Sequence, residues 1–227
     1  RAWPFGQLRP PSVVGPDWLC RRHSIMSLYE KAWQAVHERI AEAARAAGRD
    51  PASVRLLAVS KSVSSEAIRA LHALGQRAFG ENYVQEAAAK MSELADLPGI
   101  EWHLIGPLQR NKARTASAHF SWVESVDRLA IAERLSATRD AQQRPLEICV
   151  QVNISAETTK SGVAPDDGLA LARAVASLPR LRLRGFMGIA APTADISRQR
   201  AQFRLLREML TAARAEGLML DTLSMGM

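Results

Sequence analysis

Cysteine is scarce: Cys20 and Cys149 are the only two in 227 residues, and they lie far apart. They offer neither a disulfide framework nor a metal-ligand spacing, so a reducing cytoplasm is the expected setting. Long apolar runs are missing as well. Nothing approaches the roughly 20 residues of a membrane span, and the arginine-bearing N-terminus has no apolar signal core. Aromatic residues make up only 5% of the chain. A net charge of +7 invites a nucleic-acid reading, but no basic run carries it. Arg1, Arg9, Arg21 and Arg22 against Asp17 place +3 in the first 25 residues, and the remaining +4 is scattered over amphipathic helices. A solvated surface is the expectation, with no nucleic-acid partner. No Gly-rich dinucleotide fingerprint, P-loop or Ser-His-Asp order is present.

What is there suits a globular protein: 47% hydrophobic and 23% charged residues, enough for one large domain or two small ones. Residues 1–25 do not read as part of it. Pro4, Pro10, Pro11 and Pro16 interrupt regular structure, and no apolar period appears. Ser27-Leu-Tyr-Glu30 has the spacing of a capping box directly after Met26. A helical stripe of Tyr29, Trp33, Val36, Ile40, Ala43 and Ala47 follows, closed by Gly48. The expectation is a leader without regular structure over 1–25 and a domain over 26–227.

From Asp50 onward strand and helix patterns alternate. Strands are predicted at Val54–Ser60, Ala78–Glu81, Trp102–Ile105, Trp122–Val126, Leu146–Val152, Leu181–Met187 and Thr222–Ser224, each of the first six followed by a helical pattern. The helix after the second strand is expected to bury Val84, Ala88, Met91 and Leu94. Repeated βα units mean a parallel sheet, and without a dinucleotide fingerprint a (β/α)8 TIM-type barrel is the better expectation. Seven strands can be counted where such a barrel has eight.

The strand ends carry the chemistry. Lys61 ends the first strand, and a lysine there is a rim residue in water, one member of an ion pair, or a reactive amine. Gly80-Glu-Asn-Tyr83 follows the second strand, as a turn with a helix cap or as a ligand-facing amide. His103, on the third, is a satisfied core residue or a catalyst. Ser224-Met-Gly226 ends the seventh, where barrels of this kind commonly hold phosphate on backbone N–H groups. Lys61 and a phosphate cup would share one mouth, and a lysine that forms a Schiff base beside such a cup describes pyridoxal phosphate, PLP.

Six stretches also carry a resemblance. Leu57-Ala-Val-Ser-Lys61, Phe79-Gly-Glu-Asn-Tyr-Val-Gln-Glu86 and Trp102-His-Leu-Ile-Gly-Pro-Leu-Gln109 with Asn111-Lys112 are the first three. Val152-Asn-Ile-Ser155 with Lys160-Ser-Gly162, Leu181-Arg-Leu-Arg-Gly-Phe-Met187 and Leu223-Ser-Met-Gly-Met227 complete them. Together they resemble the pyridoxal phosphate homeostasis protein family. The resemblance implies a single barrel similar to the N-terminal domain of alanine racemase. It implies PLP held as a Schiff base on Lys61 without catalytic turnover, Asn82 near the cofactor, and Ser224 with Gly226 at its phosphate. PLP and apo forms of PLP-dependent enzymes are the implied partners, and the chain is expected to be a cytoplasmic monomer. The alternative is a PLP enzyme such as an amino-acid racemase; Tyr29 and Tyr83 are the only tyrosines available to one. Two departures stand out. Ser62-Val63-Ser64 replaces the Thr-Lys-Pro frequent after the lysine, and the family's eighth strand, its phosphate loop and the last helix are not found after Met227. A barrel open there is expected to be marginally stable and to bind PLP weakly.

Overall fold

The computed structural model describes residues 16–155, 157 and 161–226, with side chains described from Tyr29 onward. The chain divides into two compact units, Arg1–Arg55 and Leu56–Met227.

The first unit is built on one helix, α1 (Pro16–Ala46). This corrects the expectation of a helix starting at Ser27 and of an irregular segment before it. Proline is disruptive inside a helix but well suited to its first position, where its fixed φ fits and no hydrogen-bonded N–H is lost. Pro16 occupies that position, so 16–25 are helical and Ser27 lies inside α1. Residues 1–15 of the expected leader lie outside the described residues. The less exposed row of α1 runs through Tyr29, Trp33, His37, Ile40 and Ala44, while Val36 and Ala43 are exposed. His37 joins that row because its ring packs against Trp33, with centroids 3.9 Å apart and 38° between planes. The helix closes as expected: Gly48 adopts φ +66, and Arg49 N–H donates to Ala44 O at 2.9 Å.

The second unit alternates strand and helix throughout: β1 (Ala58–Val59), α2 (Ser65–Ala73), β2 (Ala78–Glu81), α3 (Val84–Glu93), β3 (Glu101–Leu104), α4 (Ala113–His119), β4 (Trp122–Val126), α5 (Leu129–Thr138), β5 (Leu146–Gln151), α6 (Pro165–Ala176), β6 (Leu181–Ile189), α7 (Ile196–Ala215) and β7 (Thr222–Gly226). The strands form one parallel sheet in the order of the chain. That is the singly wound order of a (β/α) barrel, with seven strands among the described residues. β1 is shorter than the expected Val54–Ser60. Among the described residues it pairs with β2 alone, and the Gln76 side chain takes over part of the ladder, donating to Leu56 O at 2.9 Å.

Successive strand residues face opposite sides, and the sequence is apolar on both. Phe79, Leu104, Val123, Ile148 and Phe186, none measurably exposed, pack on one side among residues of the helices, including Ile68, Ala87, Ile131 and Leu206. Burying each such side chain contributes about 1.5–3 kcal/mol. Trp122, Cys149 and Met187 alternate with those positions and form a separate cluster on the other side. That side is the concave one. Glu124 on β4 bonds Ser224 on β7 at 2.6 Å, although two strands intervene. A flat sheet would hold β4 and β7 about 14 Å apart at 4.8 Å per strand, so the sheet curls.

Candidate functional site

All seven strands point the same way, so their C-terminal ends form one rim, where barrels of this class place their sites. Lys61 leaves β1 at that rim in a turn whose next residue, Ser62, takes φ +59. Lys61 is exposed, and among the described residues its amine makes no ion pair or hydrogen bond. The register pairs Val59 with Gly80, which brings Lys61 level with Asn82 on the neighbouring strand end. Asn82 is half-buried, and its side-chain amide makes no hydrogen bond among the described residues. The turn after β3 packs against the Asn82 backbone at Gly106, where a Cβ would overlap the Asn82 carbonyl. Glycine is required there by close approach.

Beneath Lys61 lies a buried ionic cluster on the helix side of the sheet. Glu81 is fully buried and accepts at Oε1 from Ser60 Oγ (2.6 Å) and from Lys90 Nζ (2.8 Å). Lys90 also donates to Ser60 O and to Glu86 Oε1, both at 2.7 Å. The Lys90 ammonium above all, helped by the Ser62 N–H, holds the Glu86 carboxyl below the usual carboxylate range, against an opposing effect of burial. Sequence reasoning missed this cluster. Of the expected buried face of α3, Val84 and Leu94 are buried, but Ala87 and Lys90 take the places of Ala88 and Met91, which are only half-covered. The available signal was the Glu86–Lys90 pair at helical i,i+4 spacing.

The concave face holds a second chain of polar contacts. His103 stacks on Trp122 (centroids 5.1 Å apart, 11° between planes), and the Arg184 guanidinium lies 4.9 Å from the Trp122 ring centroid. His103 Nδ1 lies 2.6 Å from Glu124 Oε1, and Glu101 Oε2 is 3.7 Å from Nε2, an ion-pair rather than a hydrogen-bond distance. Burial pulls the His103 pKa down, but the Glu101 and Glu124 carboxylates outweigh it and hold it above the ordinary histidine value. Glu124 Oε2 accepts from Ser224 Oγ at 2.6 Å. A carboxylate therefore sits between serine and histidine, so the imidazole cannot act on the serine hydroxyl as a general base. Arg184 forks onto Asp221 at 2.8 and 2.7 Å and reaches Glu147 at 3.1 Å. Asp221 is held below the usual carboxylate range, first by that guanidinium. Burial, reinforced by Glu124, raises the Cys149 thiol well above its ordinary value, which leaves it inert.

Of the four residues singled out in the sequence, Lys61 and Asn82 stand side by side. Ser224 and Gly226 stand on β7, at the opposite edge of the curled sheet. Gly226 is exposed with open space where a Cβ would be. Lys160, expected in the loop after β5, lies outside the described residues. Those residues contain no cluster of His, Cys, Asp or Glu able to hold a metal ion. No helix among them is long and apolar enough to cross a membrane.

A singly wound parallel barrel with an exposed lysine just after its first strand is the class defined by fold and rim. Residues 32–227 match the family model described as alanine racemase, N-terminal domain. Within that class the chain belongs to the pyridoxal phosphate homeostasis protein family. It is 59% identical over 192 residues to the pyridoxal phosphate homeostasis protein of Pseudomonas aeruginosa, covering 85% of this chain and 82% of that one. It is 46% identical over 197 residues to that of Escherichia coli K12, covering 85% and 83%. PipY of Synechococcus elongatus, solved with PLP bound, superposes with a TM-score of 0.69 at 39% identity over 83% of this chain and 88% of PipY. Alanine racemase of Clostridium difficile shares the fold at TM-score 0.65 and 12% identity, over 76% of this chain and 46% of the racemase.

Proposed function

We propose that this chain binds PLP and serves its homeostasis, holding the cofactor covalently through Lys61 without catalytic turnover. The observation that carries the reading is the free, exposed amine of Lys61 at the rim, in a chain 59% identical to a pyridoxal phosphate homeostasis protein. Bound PLP supplies an aldehyde carbon that condenses with a primary amine and releases water.

The residues present fit that group. Lys61 offers the amine, and Asn82 beside it offers an amide with free donor and acceptor positions. On β7 the space next to Gly226 admits a bulky anion close to the backbone. Ser224 has one hydroxyl proton, engaged by Glu124, and Gly226 is tied into the ladder with β6 through Ala190, so the two would border the phosphate rather than donate to it as they stand. The deeply buried Glu81–Lys90 cluster supports the rim from the helix side and takes no part in contacting the cofactor. We further propose a cytoplasmic monomer that hands PLP to apo forms of PLP-dependent enzymes.

The test is borohydride reduction of the PLP-treated full chain, followed by peptide mass mapping. One pyridoxyl group per chain on Lys61, absent from Lys61→Ala, is the expected result; labelling elsewhere or none rejects the reading. Exchange of an amino acid's α-hydrogen no faster than with free PLP is expected, and faster exchange would indicate a racemase-like enzyme instead.

A further inference from the structure

Both peptide units flanking Lys61 are held by side chains of one helix. Ser60 O accepts from Lys90 Nζ at 2.7 Å, and Ser62 N–H donates to Glu86 Oε1 at 2.8 Å. Glu86 and Lys90 bond each other at 2.7 Å, so the two grips are one unit. Lys90 places its three protons on Ser60 O, Glu81 Oε1 and Glu86 Oε1 while only 7% exposed. Ser62 at φ +59 is an L-residue in the left-handed region, which persists only where surrounding contacts hold it.

An amine on a four-carbon stem reaches many points of a rim. Binding an aldehyde in one place requires the backbone of that lysine to be fixed, so that less freedom is lost on binding. We propose that Lys90 and Glu86 are positioning residues, clamping the peptide units on either side of Lys61 so that its amine is preorganised toward the strand-end mouth. The proposal rests on Lys61 being the PLP-binding residue. It also accounts for the choice between two nearby lysines. The Lys90 amine is buried with every N–H direction occupied and has no room for an aldehyde, whereas Lys61 is open.

Glu86 is only partly buried, so Glu86→Ala tests the clamp in a folded chain. Two readouts on the full chain suffice: the dissociation constant for PLP from the visible absorbance of the lysine-bound cofactor, and hydrogen exchange at the Ser62 amide without PLP. Glu86→Ala is expected to weaken PLP binding roughly tenfold and to deprotect Ser62, with a loss of thermal stability that leaves the chain folded at the temperature of the assay. Glu86→Gln keeps a carbonyl oxygen for Ser62 and is expected to regain most of both. Wild-type affinity in Glu86→Ala overturns the proposal, as does an equal loss in both variants, which would make charge the cause. If borohydride labels a residue other than Lys61 in the wild type, the functional reading falls and this proposal with it. Deprotection of Ser62 with unchanged PLP affinity defeats the clamp alone.

Discussion

Ser224 Oγ donates to Glu124 Oε2 at 2.6 Å across a sheet in which β5 and β6 separate their strands. Glu124 also bonds His103 of β3, so one buried carboxylate ties three strands together from the concave side. Removing the Ser224 hydroxyl leaves a carboxylate oxygen buried without its donor, which costs about 1–3 kcal/mol. Ser224→Ala should therefore lose stability of that order in urea unfolding and lose little PLP affinity, since its hydroxyl proton is already engaged by Glu124. A PLP defect larger than the stability loss would show that the hydroxyl itself contacts phosphate.

His103 should give the fold a pH dependence. The folded state holds its proton more tightly than the unfolded chain does, because Glu101 and Glu124 outweigh burial. Its contribution is therefore fully present below about pH 6.5, the unfolded value, and fades as pH rises through the higher folded value. Unfolding free energy should fall over that interval in the wild type and flatten in His103→Gln. An imidazole titrating below 6.5 by NMR would reject this account.

Lys90 is the reverse of a surface ion pair. Lys90→Met leaves Glu81, itself without exposure, as an uncompensated buried charge and should destabilise by about 3–5 kcal/mol. Adding Glu81→Leu removes the stranded charge and should recover most of that loss, measured by chemical denaturation. Failure to recover would locate the cost in the Ser60 and Glu86 contacts instead.

Gly106 offers a steric probe of Asn82. A methyl group at residue 106 collides with the Asn82 main chain, and relieving it should cost about 1–3 kcal/mol. Because the displaced backbone belongs to the rim, Gly106→Ala should weaken PLP binding, whereas Gly217→Ala, strained by φ +90 but placed at the end of α7 away from the rim, should cost stability without weakening it. Equal effects on binding would show that Asn82 need not be held.

Local pattern carried much of the second unit. β2 and β4 have the bounds their alternation predicts, and α2 begins directly after Ser64, whose hydroxyl caps Ala67 N. Lys61 stood out as a charge ending an apolar run. In α1 the capping spacing at Ser27 is only a local signal, and a helix that already includes Pro16 overrides it. β1 is shorter than its composition predicts, because an edge position and the Gln76 side chain deprive the strand-like residues 54–57 of a ladder.

Composition and spacing thus determined the alternating parallel architecture and the lysine at its rim, since both depend on patterns only a few residues long. Which buried charges meet was decided by tertiary structure alone. Glu124 and Ser224 are 100 residues apart, and Lys90 reaches back 30 residues to Ser60. Only curling the sheet and packing α3 on it bring such groups within hydrogen-bond range, and no local period encodes that closure.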